Sequence, residues 1–153
     1  KDFFFVLGDI TSYRETNLAL LNQTKERAFV GKNCNISSKA IINNSVISDD
    51  CIIGDDAVVE NSVIWANTII EKGTKILDSV ICNNVTIMSN SNVTRATLGS
   101  NITVENNVCI KNNTKIWPDT IILKESIVDG VIKDSFDAKT PVFENDGISA
   151  VGN

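Results

Sequence analysis

Few residues in this chain could do chemistry. Four cysteines, Cys34, Cys51, Cys82 and Cys109, could ligate zinc or act as thiolates. None makes a C-x-x-C pair and the chain has no histidine, so no zinc-ligand spacing supports a metal site. The missing histidine also removes the usual base poised near neutral pH. A thiol base or nucleophile at Cys82 or Cys109 remains a formal alternative. The pairs Asp49-Asp50 and Asp55-Asp56 would suit a cation, but they fall on two different corners of the repeat described below. A solvated, partly paired corner is the expected reading, because surface ion pairs of this kind are common and weak. We therefore expect no catalytic, cofactor or metal residues in this chain.

A repeat must position these residues. Written in rows of seventeen, the chain places aliphatics at Val30, Ile36, Ile42; Ile47, Ile53, Val59; Ile64, Ile70, Ile76; Ile81, Ile87, Val93; and Leu98, Val104, Ile110. Ile116 and Ile122 continue the series. Steps of six, six and five fit neither a 3.6-residue helix nor simple strand alternation. They fit short strands joined by tight corners, three to a coil, which is the hexapeptide pattern of a parallel β-helix. The fourth residue of the hexad is expected at a corner with positive φ. It is Asn33, Asp50, Asn67, Asn84 or Asn101 in one hexad and Lys39, Asp56, Gly73, Asn90 or Asn107 in the next. Asn, Asp and Gly tolerate that conformation best. The fifth residue should point inward and be small, as at Cys34, Cys51, Thr68, Val85 and Ile102. Cys34 and Cys51 would then stack about 4.8 Å apart, as buried reduced thiols.

The ends depart from the coils. Ser12-Tyr13-Arg14-Glu15 reads as a capping box, and Tyr13, Asn17, Leu20 and Leu21 follow at helical spacing. A helix over about Ser12 to Asn22 is expected, docked on an end or side of the coils. The expected organisation is a junction and helix over 1–24, the β-helix over 28–132, and a linker leading to a further segment over 133–153.

The chain carries a net charge of −5 and its lysines lie singly, which speaks against nucleic-acid binding. No apolar run reaches membrane-span length, and FFFVLG is too short for a signal peptide. The expected compartment is the cytoplasm.

Three pieces resemble the sugar-nucleotide pyrophosphorylases, nucleotidyltransferases that join a nucleoside phosphate to a hexose 1-phosphate. Gly8-Asp9-Ile10, Tyr13, Asn17 and Leu20-Leu21 resemble the helix leaving their catalytic domain. Asn61-Ser62-Val63-Ile64-Trp65 and Asp78-Ser79-Val80-Ile81 resemble their C-terminal left-handed β-helix. Lys115-Ile116-Trp117-Pro118-Asp119 resembles the end of that domain in mannose-1-phosphate guanylyltransferase-like members. Some members continue into a phosphohexomutase domain. Phe143-Glu144-Asn145-Asp146-Gly147-Ile148 and Asn153 resemble its FGTDGIRG…N opening, with Glu144, Ser149 and Ala150 departing from it. Val6 stands where the pyrophosphorylases usually carry an Asp.

The resemblance implies a left-handed, all-β solenoid of five to six coils with an N-terminal α-helix. It also implies an assembly or regulatory role, with a separate catalytic domain and Mg²⁺ in the parent enzyme. One alternative is a scaffold subunit of a nucleotidyltransferase-like complex, such as a translation-factor exchange complex. A hexapeptide acyltransferase is disfavoured, since those enzymes usually use a histidine base. Trp65, Cys82, Gly99 and Trp117 follow leading aliphatics and are the expected interface residues of a homo-oligomer. Cover by the N-terminal helix within one chain is the competing expectation for the same stripe.

Overall fold

The computed structural model describes residues 10–24 and 26–133. The expectations for Val6 and for the segment 134–153 lie outside the described residues. One helix, α1 (Ile10–Thr24), precedes nineteen short strands, β1 to β19, among the described residues. Every strand pairing is parallel, and each strand pairs with the one three places on in the chain. Three faces result. The first is seven-stranded: β1 (Ala28–Val30), β4 (Ser45–Ile47), β7 (Val63–Ile64), β10 (Val80–Ile81), β13 (Thr97–Leu98), β16 (Lys115–Ile116) and β19 (Val131–Ile132). The second runs from β2 (Asn35–Ile36) to β17 (Ile121–Ile122) and the third from β3 (Ile41–Asn43) to β18 (Ile127–Val128), each six-stranded. This is the hexapeptide β-helix expected from the repeat, with about six coils.

The register places each leading aliphatic directly over the next. Ile53 sits over Ile70 and Ile70 over Ile87; Ile47 sits over Ile64 and Ile64 over Ile81. Ile47, Ile64, Ile70, Ile76, Ile81, Ile87, Leu98 and Ile116 have no exposed surface. Burying a side chain of this size contributes roughly 1.5–3 kcal/mol. The first coil is less covered: Ile36 and Ile42 are only partly buried, and Val30 is 42% exposed.

The corners follow the expected chemistry. Asn33, Asp50, Asn67, Asn84, Asn101 and Asp119 all take φ between 59° and 64°. Asp56, Gly73, Asn90, Asn107 and Glu125 form the second corner column. Lys39 does not join it. A lysine lacks the short amide or carboxylate that most residues of this column carry, and here the Ser37 side chain joins the turn. Ser37 Oγ accepts from Lys39 N at 3.1 Å, and its carbonyl accepts from Ala40 N at 3.0 Å. A third column, not expected from the sequence, runs through Asn44, Asn61, Asp78, Arg95, Asn113 and Gly130. It was missed because this side of the coil is five residues long in the first four coils. The corner there falls on the third residue of the repeat, counting the aliphatic as the first, rather than on the fourth.

Small residues turn inward beside the corners. Ser45, Ser62, Ser79 and Ala96 are all buried in one column. Their hydroxyls stitch coil to coil: Ser62 N donates to Ser45 Oγ at 3.1 Å, Ser79 N to Ser62 Oγ at 3.1 Å, and Ala96 N to Ser79 Oγ at 3.0 Å. Each hydroxyl also donates to a carbonyl of its own coil, as Ser62 does to Glu60 O at 2.7 Å. These polar groups are buried but satisfied, which is why the column tolerates serine.

Helix α1 lies along the side of the solenoid, against the first face, rather than over an end. It begins two residues before Ser12 and ends two after Asn22, so Ser12 is an interior residue and not the cap. Leu18 and Leu21 are buried beneath it, whereas Leu20, expected on the docking face, is 58% exposed.

Candidate interaction face

The four expected interface residues do share one column. Each follows an inward aliphatic of the first face, and its amide bonds the next coil: Trp65 N to Ile81 O at 2.8 Å, Cys82 N to Leu98 O at 3.0 Å, Gly99 N to Ile116 O at 2.8 Å and Trp117 N to Ile132 O at 2.8 Å. What differs among them is what covers each one.

Trp65 is half-buried and held by the helix. Its Nε1 donates to the Tyr13 hydroxyl at 2.8 Å, and the two rings meet edge to face with centroids 6.0 Å apart. Such aromatic pairs contribute about 0.5–1.5 kcal/mol beyond their area. The next helix residue makes a second contact: Arg14 Nη1 donates to the Asn61 carbonyl at 2.9 Å. The helix therefore clamps the column at this level. Sequence reasoning placed Tyr13 on the helix but missed its partner. It missed Arg14 too, since a polar residue carries no periodic signal.

Cys82 has no exposed surface, and burial pushes its thiol up to about 12. At neutral pH it is a small protonated core residue rather than a nucleophile. Gly99 is also buried, for a steric reason. A Cβ there would lie 2.8 Å from Pro118 N and 2.9 Å from both Pro118 Cδ and Cγ. The ring that interrupts the hexad rhythm in the next coil thus packs on the bare glycine. Trp117 is half-buried, with Lys133 Nζ 5.9 Å from its ring centroid in cation–π contact. The column is therefore not a continuous exposed stripe. Its first residue is engaged by the helix and its middle two are enclosed.

The remaining candidates are structural. Cys34 and Cys51 are free thiols at successive inward positions. Cys34 Sγ donates to Ser48 O at 3.0 Å and Cys51 Sγ to Trp65 O at 3.2 Å. Burial pushes the Cys51 thiol up to about 11. Cys109 lies half-buried on the outside of the third face. The acidic pairs serve the corners: Asp49 Oδ1 accepts from Lys32 N at 2.8 Å, Asp55 accepts from the Ser37 hydroxyl, and Asp50 and Asp56 are themselves corner residues.

The second face carries a longer uncharged column, exposed at its two ends. Ile52, Ile69, Thr86, Thr103 and Ile121 point outward in direct register, with Ile52 43% and Ile121 48% exposed. Leu123 extends the patch at 46%. The carboxylates on this face, Glu71 and Glu105, are turned into backbone caps. Glu71 Oε1 accepts from Ser89 N at 3.2 Å and Glu105 Oε1 from Lys124 N at 3.0 Å. No helix among the described residues is long and apolar enough to cross a membrane.

A family model described as the EIF2B subunit epsilon LbH (left-handed β-helix) domain matches residues 10–97. No curated protein matches the chain in sequence. Among solved structures, a hexapeptide transferase family protein from Anaplasma phagocytophilum is 17% identical. That match covers 82% of this chain and 80% of that one, with a TM-score of 0.47. A mutant perosamine N-acetyltransferase from Caulobacter crescentus is 15% identical over 90% of this chain and 60% of that one, with a TM-score of 0.49. LpxA from Acinetobacter baumannii is 14% identical over 84% and 70%, with a TM-score of 0.39.

Proposed function

The chain belongs to the family of the EIF2B subunit epsilon left-handed β-helix domain, and from that premise we propose that it is the assembly element of a nucleotidyltransferase-like protein. It performs no chemistry itself. It joins a second β-helix and so sets the spacing of the domains that the two helices carry. The observation that carries this reading is the uncharged column Ile52–Ile69–Thr86–Thr103–Ile121 on the second face. It is β-branched and faces outward, and Glu71 and Glu105, which share its face, are already bonded. Two such faces meet without like-charge repulsion. The helix clamp at Tyr13 and Arg14 engages the first face and leaves this face open.

Sedimentation tests the reading. The chain should run as a dimer or larger at high micromolar concentration, and Ile121→Glu with Ile52→Glu should return it to a monomer of unchanged β content. Trp65→Glu, in the expected interface column, should release the helix but leave the oligomer. A monomeric chain overturns the proposal. Dissociation by Trp65→Glu alone transfers the interface to the column of Trp65, Cys82, Gly99 and Trp117.

A second reading rests on one observation. Lys115–Asp119, beyond the matched residues, forms the Trp117-Pro118 step that resembles mannose-1-phosphate guanylyltransferase-like enzymes. On this reading the parent is a Mg²⁺-dependent, cytoplasmic enzyme that makes a nucleotide sugar. Pyrophosphate release by the full-length parent with GTP, Mg²⁺ and mannose 1-phosphate tests it, and a parent inactive under those conditions refutes it.

A further inference from the structure

Helix α1 and the later coils of the first face enclose a groove of about 590 Å³. Three cations converge on it from distant parts of the chain. Arg14 comes from the helix, Arg95 from the third corner and Lys115 from β16, and Asp78 is the one carboxylate in the lining. We propose that this groove binds a phosphate group borne by a small molecule.

Two observations carry the proposal independently of the chain's charge, which is negative overall at −5. The first is the groove itself, whose size suits a small ligand. Val80, Ala96 and Val131 add apolar surface to the lining beside the cations, fit for the carbon skeleton of a phosphoester. The second is the backbone at Arg95. Its corner column holds Asn44, Asn61, Asp78, Asn113 and Gly130, the residue types that suit positive φ. Arg95 takes φ 48° there with neither a short amide nor a missing Cβ. Glu125 shares such a conformation at φ 64° in the second column, but strain points to function where the side chain also has a cavity to reach. Arg95 reaches the groove, with its Nε 3.7 Å from Asp78 Oδ2 and its side chain 63% exposed. Across the groove, the bond from Arg14 Nη1 to the Asn61 carbonyl orients that guanidinium and uses one of its five donors. Guanidinium forks fit the oxygens of a phosphate in pairs. Two such forks and the Lys115 ammonium suit its three terminal oxygens better than a carboxylate's two.

The test titrates the isotopically labelled full chain with inorganic phosphate, ribose 5-phosphate and AMP, using ribose and adenosine as phosphate-free controls. Only the phosphate-bearing probes should shift the amides of Arg95, Ala96 and Thr114 and raise Tm. Binding should weaken with added salt. Arg95→Asn should bind about tenfold or more weakly, the usual loss for one charged hydrogen bond. Its own Tm should hold or rise, because asparagine suits the corner. Asp78→Asn should bind more tightly. Tighter binding of AMP or ribose 5-phosphate than of inorganic phosphate shows that the apolar surface takes the organic part. Equal binding confines the site to phosphate alone, and either result supports the shared chemistry. The proposal fails if no probe shifts these amides at millimolar concentration, if ribose or adenosine acts equally, or if Arg95→Asn binds as the parent chain does. Binding is read whether or not the chain associates, so failure here leaves the assembly reading untouched.

Discussion

Gly99→Ala should destabilise the chain by about 1–3 kcal/mol, the usual cost of forcing one extra methyl into a packed site. The magnitude follows from the geometry. The new Cβ would stand 2.8–2.9 Å from three Pro118 atoms, against optimal carbon separations of about 3.5–4.0 Å. Gly99 φ is not in the left-handed region, so the penalty is steric and carries no backbone component. Two of the three contacts, Cδ and Cγ, are side-chain atoms of the proline and the third is its backbone nitrogen. Pro118→Ala removes the first two and should recover more than half of the loss in the Gly99→Ala background. The assay is urea unfolding followed by tryptophan fluorescence, to which Trp65 and Trp117 both contribute, with all four chains of the double-mutant cycle measured. A Gly99→Ala penalty below about 0.5 kcal/mol, or no coupling between the two sites, would refute the claim that the glycine exists to seat the proline.

Ile70, fully buried between Ile53 and Ile87, should cost on the order of 3–5 kcal/mol when changed to Asp; a mutant melting like the parent sinks the register. Asn84 has φ 59° and its Nδ2 donates to Asn101 Oδ1 at 3.2 Å. Asn84→Val should therefore lose about 1–2 kcal/mol while Asn84→Gly stays near neutral, and equal melting temperatures for the two would contradict the corner assignment. Burial raises the Cys82 thiol from 9.0 to about 12. The unfolded chain then loses this proton from about pH 9 while the folded chain keeps it. Its contribution is complete below pH 9 and should fall by about 1.4 kcal/mol per unit above it. Chemical denaturation between pH 8 and 11 should show a shallower decline for Cys82→Ala than for the parent, and parallel curves would count against a buried thiol.

The parts legible in the sequence were those that repeat in every coil. The leading aliphatics and the Asn, Asp and Gly columns recur at a fixed offset, so both the core and two of the three corners could be placed. The third corner escaped because its offset differs between coils. Cys82 and Gly99 were expected to face outward; position in the hexad alone could not show that they would be enclosed. Side chains that act between periods gave no signal. Tyr13 meets Trp65, and Arg14, Arg95 and Lys115 meet around one groove, though nothing in their spacing along the chain links them. Leu20 was misplaced because the helix turns its Leu18 and Leu21 side to the coils, and both faces of that helix carry leucine.

The coils are unequal in length, and the inequality is confined to one edge. Partners lie seventeen residues apart at Asn35↔Ile52, eighteen at Thr103↔Ile121 and sixteen at Lys115↔Val131. Between the first and second faces, and between the second and third, every step from aliphatic to aliphatic is six residues. All the variation falls on the return from the third face to the first, where the step is five from Val93 to Leu98, six from Ile110 to Ile116 and four from Val128 to Ile132. That edge works as a slip joint. A residue gained or lost there is absorbed before the next strand begins, whereas the same change inside a strand would turn the side chains after it inside out. Grafts, tags and natural length variants should therefore collect along the edge marked by Asn44, Asn61, Asp78, Arg95, Asn113 and Gly130, and leave the other two edges of the prism in step.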